Sequence, residues 1–173
     1  TFVTKINAEN RCHLSGMAVV DGKPKYVTVA GQTDEKQGWL ECRQNGGSVI
    51  DITNNEVVCT GLSIPQAPRW YQDKLWVLNS GTGNFGYVNF DNGQFESVAF
   101  CPGYLRGLSF IGNYAVIGTC RPLNENDFDG LALNDNLSTN NQEAQCGIWV
   151  VNLKNGNIEH HMTFDRVIND IFS

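Results

Sequence analysis

Short runs of β-branched and aromatic residues recur along the chain, each closed by Gly, Asn or Asp. Tyr26-Val27-Thr28-Val29, Leu75-Trp76-Val77-Leu78 and Ala115-Val116-Ile117 are examples. Runs of this length, bounded by turn formers, predict β-strands. No window keeps apolar residues at helical spacing over three turns with capping signals. The chain is therefore predicted to be all-β, with room for one short helix around Gly130 to Gln145.

The runs repeat. Gly47-Ser48-Val49-Ile50-Asp51-Ile52 matches Phe85-Gly86-Tyr87-Val88-Asn89-Phe90, with Asp51 and Asn89 offset by 38. Arg69-Trp70-Tyr71 with Leu75-Trp76-Val77 matches Arg106-Gly107-Leu108 with Tyr114-Ala115-Val116, and Trp76 and Tyr114 are again 38 apart. A third copy lies at Gly147 to Leu153, where the offset from Asn89 to Asn152 grows to 63, the excess falling between Cys120 and Cys146. An earlier partial copy runs from Leu14 through Val29 and carries its own insertion near Gln32 to Arg43. Asn54-Asn55, Asp91-Asn92-Gly93 and Lys154-Asn155-Gly156 supply hairpin turns, because Asn and Gly tolerate positive φ.

A period near 40 with four short strands predicts propeller blades. They are expected at about 11–60, 61–101 and 102–163, with 164–173 starting the next. Three blades do not close a ring, and open blades leave strand edges bare. The remaining blades are expected from another part of a longer protein or from a partner chain. The chain opens at Thr1 without Met and stops at Ile171-Phe172-Ser173 within an apolar run, which also reads as a piece of a longer protein. The alternative architecture is a β-sandwich with coincidental internal similarity.

Composition narrows the function classes. Only 17% of the 173 residues are charged and 18 are Gly, which suits short strands and tight turns. The net charge is −6, and the twelve Lys and Arg are scattered rather than gathered in a basic stripe. Nucleic acid and anionic membrane surfaces are thus not expected as partners. No apolar run approaches the ~20 residues of a membrane-spanning helix. The six cysteines (12, 42, 59, 101, 120 and 146) include no CxxC pair, which disfavours zinc. Fifteen disulfide pairings are open in principle. The favoured reading is small, buried, reduced thiols in a cytoplasmic protein.

Four blocks carry a resemblance. Arg11-Cys12-His13-Leu14-Ser15-Gly16 with Val20 to Thr28 is one, and Pro68 to Tyr71 with Leu75 to Gly83 is a second. Pro102 to Leu108 is a third; Arg121-Pro122, Phe128, Gly130-Leu131, Leu133 and Cys146-Gly147 make a fourth. In this order they resemble the uncharacterised bacterial DUF4915 family, over nearly the whole chain. The resemblance implies a propeller-like fold, and this chain as the central-to-C-terminal part of a longer parent. Ser15 departs from the family's block, which carries Asn there. The family has no established activity to carry over.

In a blade, the segment leading into the innermost strand and the loop after the second strand share one end. Both insertions follow second strands, and His13, Arg69, Arg106 and Asp165 precede or open innermost ones. These groups are expected on one axial face, where loops on a rigid scaffold gather binding residues. Arg69 and Arg106 are candidates to grip a carboxylate or phosphate through the guanidinium fork, with Asn79 and Arg121 beside them. The competing reading has each Arg bonded to backbone carbonyls. His13 is an acid–base or ligand candidate, against a structural histidine. His160 and His161 alternate in an outer strand, a poor arrangement for one metal. Glu125 to Gly130 begins like a calcium loop, but Asn136 falls where the bidentate Glu belongs. The Gly-rich Asn79 to Gly86 lacks the following helix a phosphate loop needs. Asn136-Leu137-Ser138 is a glycosylation sequence that matters only in a secreted protein.

The sequence names no cofactor, metal site or catalytic residue. Its leading functional reading is a binding module for a small anionic ligand or a protein segment. The alternatives are a metal-dependent lactonase-like hydrolase using Asp165, Asp170 and Asn79, and a scaffold in a larger assembly.

Overall fold

A computed structural model describes residues 3–4, 7–122, 124, 127–164 and 168. Among them the strands form three four-stranded sheets. The first contains β1 (Leu14–Val20), β2 (Lys23–Val29), β3 (Gly47–Asp51) and β4 (Glu56–Leu62) in sequential order. The second contains β5 (Pro65–Tyr71), β6 (Lys74–Asn79), β7 (Asn84–Asn89) and β8 (Gln94–Phe100). The third contains β9 (Tyr104–Ile111), β10 (Tyr114–Cys120), β11 (Gly147–Asn152) and β12 (Ile158–Thr163). One helix, α1 (Ala132–Thr139), lies in the insertion between β10 and β11. Sequential four-stranded meanders of this kind make the fold propeller-like. No described helix is long and apolar enough to cross a membrane.

Local chemistry fixes each hairpin. Asp21 and Gly22 join β1 to β2 with φ of 50° and 75°, and Gln72 and Asp73 join β5 to β6 with φ of 48° and 58°. Two left-handed residues in a two-residue turn match the twist of the flanking strands. The turns joining third to fourth strands share a different device. The Asp51 carboxylate accepts from Thr53 N at 2.9 Å, the Asn89 side chain from Asp91 N at 3.0 Å, and that of Asn152 from Lys154 N at 3.0 Å. Three residues on, Asn54, Asn92 and Asn155 accept from the backbone of Glu56, Gln94 and Asn157. Asn89 and Asn152 also donate to Glu96 and Glu159 on the fourth strands. In the first sheet Asp51 pairs instead with Lys25, at 3.9 Å.

The described chain divides into two units, residues 1–77 with 87–96 and residues 78–86 with 97–173. The first has a core of Ala18, Tyr26, Val49, Cys59, Leu62, Leu75, Val77 and Val88, beside which Tyr26, Trp70 and Phe90 cluster as rings. Here β5 lies close against β1: the Ser15 hydroxyl donates to the Pro65 carbonyl and meets Thr28 Oγ1 at 3.0 Å. In the second unit Phe85, Leu105, Ile117, Leu133 and Val151 are fully buried. There Trp149 Nε1 donates to the Thr119 hydroxyl at 2.9 Å, which itself donates to the Gln145 carbonyl at 2.8 Å.

Candidate functional site

In an antiparallel meander the start of the first strand and the end of the second lie at the same end of the sheet. In the first sheet that end carries His13 and residues 30–46; in the third it carries Gly103 and the described residues of 121–146. The backbone leading into each first strand is unusual. His13 has φ 48°, Ile64 φ 45° and Gly103 φ 154°. A β-branched residue such as Ile64 adopts this region only when its surroundings impose it. At Gly103 a Cβ would meet the Gln145 carbonyl at 2.7 Å and the Cys120 carbonyl at 3.0 Å, so only glycine fits.

In the first unit the insertion after β2 folds over the segment before β1. Gln37 N donates to the Asn10 carbonyl at 2.9 Å and Trp39 N to that of Arg11 at 3.3 Å. The rings of His13 and Trp39 stack, their centroids 4.2 Å apart. Asn10 Nδ2 lies 3.0 Å from His13 Nδ1. With the amide donating, the neutral ring carries its proton on Nε2. Arg11 pairs with Glu9 at 3.0 Å and Asp34 at 3.8 Å. Cys12 and His13 lie just ahead of β1, which begins at Leu14, so strand alternation does not set their side chains on opposite faces. The Cys12 thiol is buried, and that burial raises its pKa, so it makes no ready nucleophile. Arg69 lies half-buried on β5. Among the described residues its guanidinium bonds to the Pro68 carbonyl, at 3.1 Å, and not to His13.

The second unit holds Asn79, Arg106 and Arg121. Arg106, half-buried on β9, sets its guanidinium carbon 4.8 Å from the centre of the Tyr104 ring. Phe128 from the insertion stacks on the same ring, 5.4 Å away with the planes 16° apart. The insertion is tied down at its far end by Gln145 N, which donates to the Pro102 carbonyl at 2.9 Å. Its helix buries Leu133 and Leu137, and Asn136 Nδ2 donates to the Thr82 carbonyl at 2.8 Å. That engagement leaves the side chain poorly placed for glycosylation. Asn79 is buried at the end of β6, and its carbonyl accepts from Thr82 Oγ1 at 2.8 Å. Arg121 follows β10 directly and is half-buried.

The Gly-rich stretch after Asn79 forms a single 3₁₀ turn, Ser80–Thr82, and leads into β7. His160 and His161 lie exposed on β12, where His161 stacks on Trp149 at 5.1 Å. In the calcium-like segment, Asp127 accepts from Asn124 N at 2.9 Å, while Glu125 and Asn126 lie outside the described residues, as do Asp165 and Asp170. Among the described residues no group of three or more His, Cys, Asp or Glu is placed to hold a metal ion. The sequence reading missed Trp39, Tyr104 and Phe128 as partners of the candidate side chains. Tyr104 and Phe128 stand in its third and fourth blocks, but nothing in the sequence brings the two rings together.

The chain is similar in fold to the computationally designed Ika4 protein, with TM-score 0.51 and 13% identity over 99% of this chain and 83% of that one. It is also similar to dihydro-heme d1 dehydrogenase NirN, solved in complex with DHE, with TM-score 0.51 and 12% identity over 92% of this chain and 29% of that one. Kuenenia stuttgartiensis hydrazine synthase matches at TM-score 0.47 and 11% identity, over 86% of this chain and 36% of that one. The chain thus spans about a third of each of these two natural proteins. At such identities the likeness is one of fold alone. No curated protein matches the sequence. A family model described as "Domain of unknown function (DUF4915)" matches residues 1–173.

Proposed function

The chain belongs to that DUF4915 family along its whole length, and from this premise we propose that it is a binding module whose ligand is a small anion, held at the insertion-bearing end of the third sheet. The observation that carries the reading is the Arg106–Tyr104–Phe128 group. A guanidinium shelved over an aromatic ring keeps its planar fork in one orientation and loses less freedom on gripping a carboxylate or phosphate. The ring that holds it is packed in turn by the insertion, so the fork is positioned by a strand and a loop together. Arg121 and Asn79 belong to the same unit and would supply further donors. Arg69 and His13 belong to the other unit.

A panel of phosphates and small carboxylates, screened by thermal shift and then by calorimetry, tests this. A binding anion should lose roughly 10- to 100-fold in affinity with Arg106→Ala, the weight of one charge-assisted contact. The ligand-free melting temperature should stay within a degree or two. A large fall in ligand-free melting, with anion affinity unchanged, would assign Arg106 to the architecture instead. The metal-dependent hydrolase reading draws no support from the Arg106 group. Tightly held metal in the purified protein would favour it.

A further inference from the structure

The geometry points to Cys120 and Cys146 as a disulfide-forming pair that fastens the two ends of the insertion between β10 and β11. The register of these strands runs from Tyr114 opposite Asn152 to Thr119 opposite Gly147. One step further sets Cys120 opposite Cys146. Three observations support the chains staying side by side at that step. Cys120 is still within β10 and pairs with Tyr104 on its other side. Phe164 N donates to the Cys146 carbonyl at 2.9 Å, continuing the β11–β12 ladder past Gly147. The Thr119 hydroxyl reaches the carbonyls of both Gln145 and Gly147, at 2.8 and 3.4 Å, the two neighbours of Cys146.

Directly opposed residues in an antiparallel pair have Cα atoms about 4.5–5.5 Å apart and side chains on one face. A disulfide spans Cα separations of roughly 4.4–6.8 Å, so this pair needs little backbone movement. Both thiols are buried, 4% and 2% exposed, and no disulfide joins the six cysteines in this structure. Oxidation here is an exchange with a low-molecular-weight disulfide such as glutathione disulfide. The thiolate of one cysteine attacks a sulfur of that reagent and releases one thiol. The second cysteine then displaces the other half, so the two protein thiol protons end on the two released thiols. The product closes a loop around the 25 residues from 121 to 145.

The test uses the whole chain, equilibrated in glutathione buffers from reducing to oxidising and with long incubation, because buried thiols exchange only through local opening. Remaining thiols are alkylated under denaturing conditions and the peptides mapped by mass spectrometry. The expected result is a cross-linked peptide joining Cys120 to Cys146, reversed by dithiothreitol, and a melting temperature raised by about 3–10 °C, as closure of a loop this long implies. Cys59→Ser should leave the cross-link intact, and Cys146→Ser should abolish it and leave Cys120 open to alkylation. Full alkylation of both wild-type cysteines at the most oxidising poise, or a cross-link from either to a different cysteine, would overturn the assignment.

Discussion

Gly16 and Gly47 show how much can depend on a missing side chain. A Cβ at Gly16 would fall 2.4 Å from Pro68 Cδ, and one at Gly47 would fall 2.4 Å from Pro65 Cδ and 2.6 Å from the Leu62 carbonyl. Proline rings and backbone cannot swing aside as the tip of a long side chain can, so β5 approaches the first sheet only because both positions are bare. Gly16→Ala should therefore cost about 1–3 kcal/mol, the usual cost of overpacking, read as a lowered urea midpoint with unchanged slope. A wild-type midpoint would mean that β5 sits less closely on β1. In the sequence a glycine reads as a turn former, and these contacts, with Pro68 52 positions from Gly16 and Pro65 18 from Gly47, appear only in the folded chain. Ser15 is similar. In the sequence it is only a departure from a family block; its work, a hydroxyl bridging β1 to the Pro65 carbonyl, is visible only once the strands are in place.

Among the elements, the hairpins were the most legible. Asp91-Asn92-Gly93 and Lys154-Asn155-Gly156 were read as turns from local chemistry, and local chemistry decides them: Gly93 and Gly156 adopt φ of 69° and 76°, and each turn carries two side-chain acceptors. Replacing one acceptor leaves a backbone N–H to water. Asn89→Ala and Asn152→Ala should each cost on the order of 1 kcal/mol, seen as a small fall in melting temperature, and Asn→Asp should recover part of it at a pH low enough to protonate the facing Glu96 or Glu159, because Asp keeps the acceptor but sets a second carboxylate beside it. Equal losses for Ala and Asp would show that the donated bonds to Glu96 and Glu159 matter more than the accepted ones. The insertions were legible as breaks in the period, and the second also as the place of one short helix, which α1 is, but not in what they pack against. Nothing in Gln32 to Arg43 announces that Trp39 will lie on His13, since stacking is fixed by the path of the chain and not by its composition.

For the molecule as a whole, the fold class was written in a recurrence, the same strand chemistry returning after 38 residues. Recurrence reports architecture and is silent about ligands, which is why the fold could be read while the arginines could only be nominated. The thiols make global stability sensitive to alkaline pH. Burial pushes the Cys59 thiol up to about 11 and Cys101 up to about 12, from an ordinary 9.0. The unfolded chain loses these protons first, so their contribution is whole below pH 9 and drains away as pH rises towards 11 and 12. Melting temperature should fall across that window, and a Cys59→Ala/Cys101→Ala double variant should show a shallower fall from its own lower starting point. A slope matching wild type would remove the thiols as its cause. The turns held by Asn89 and Asn152 carry a consequence for the order of assembly. Their bonds close within a handful of residues, so the last two strands of a sheet can zip together in microseconds, well before distant strands meet. Construction would then begin at local hairpins such as these, and the asparagine variants would be slow to refold while unfolding at the normal pace.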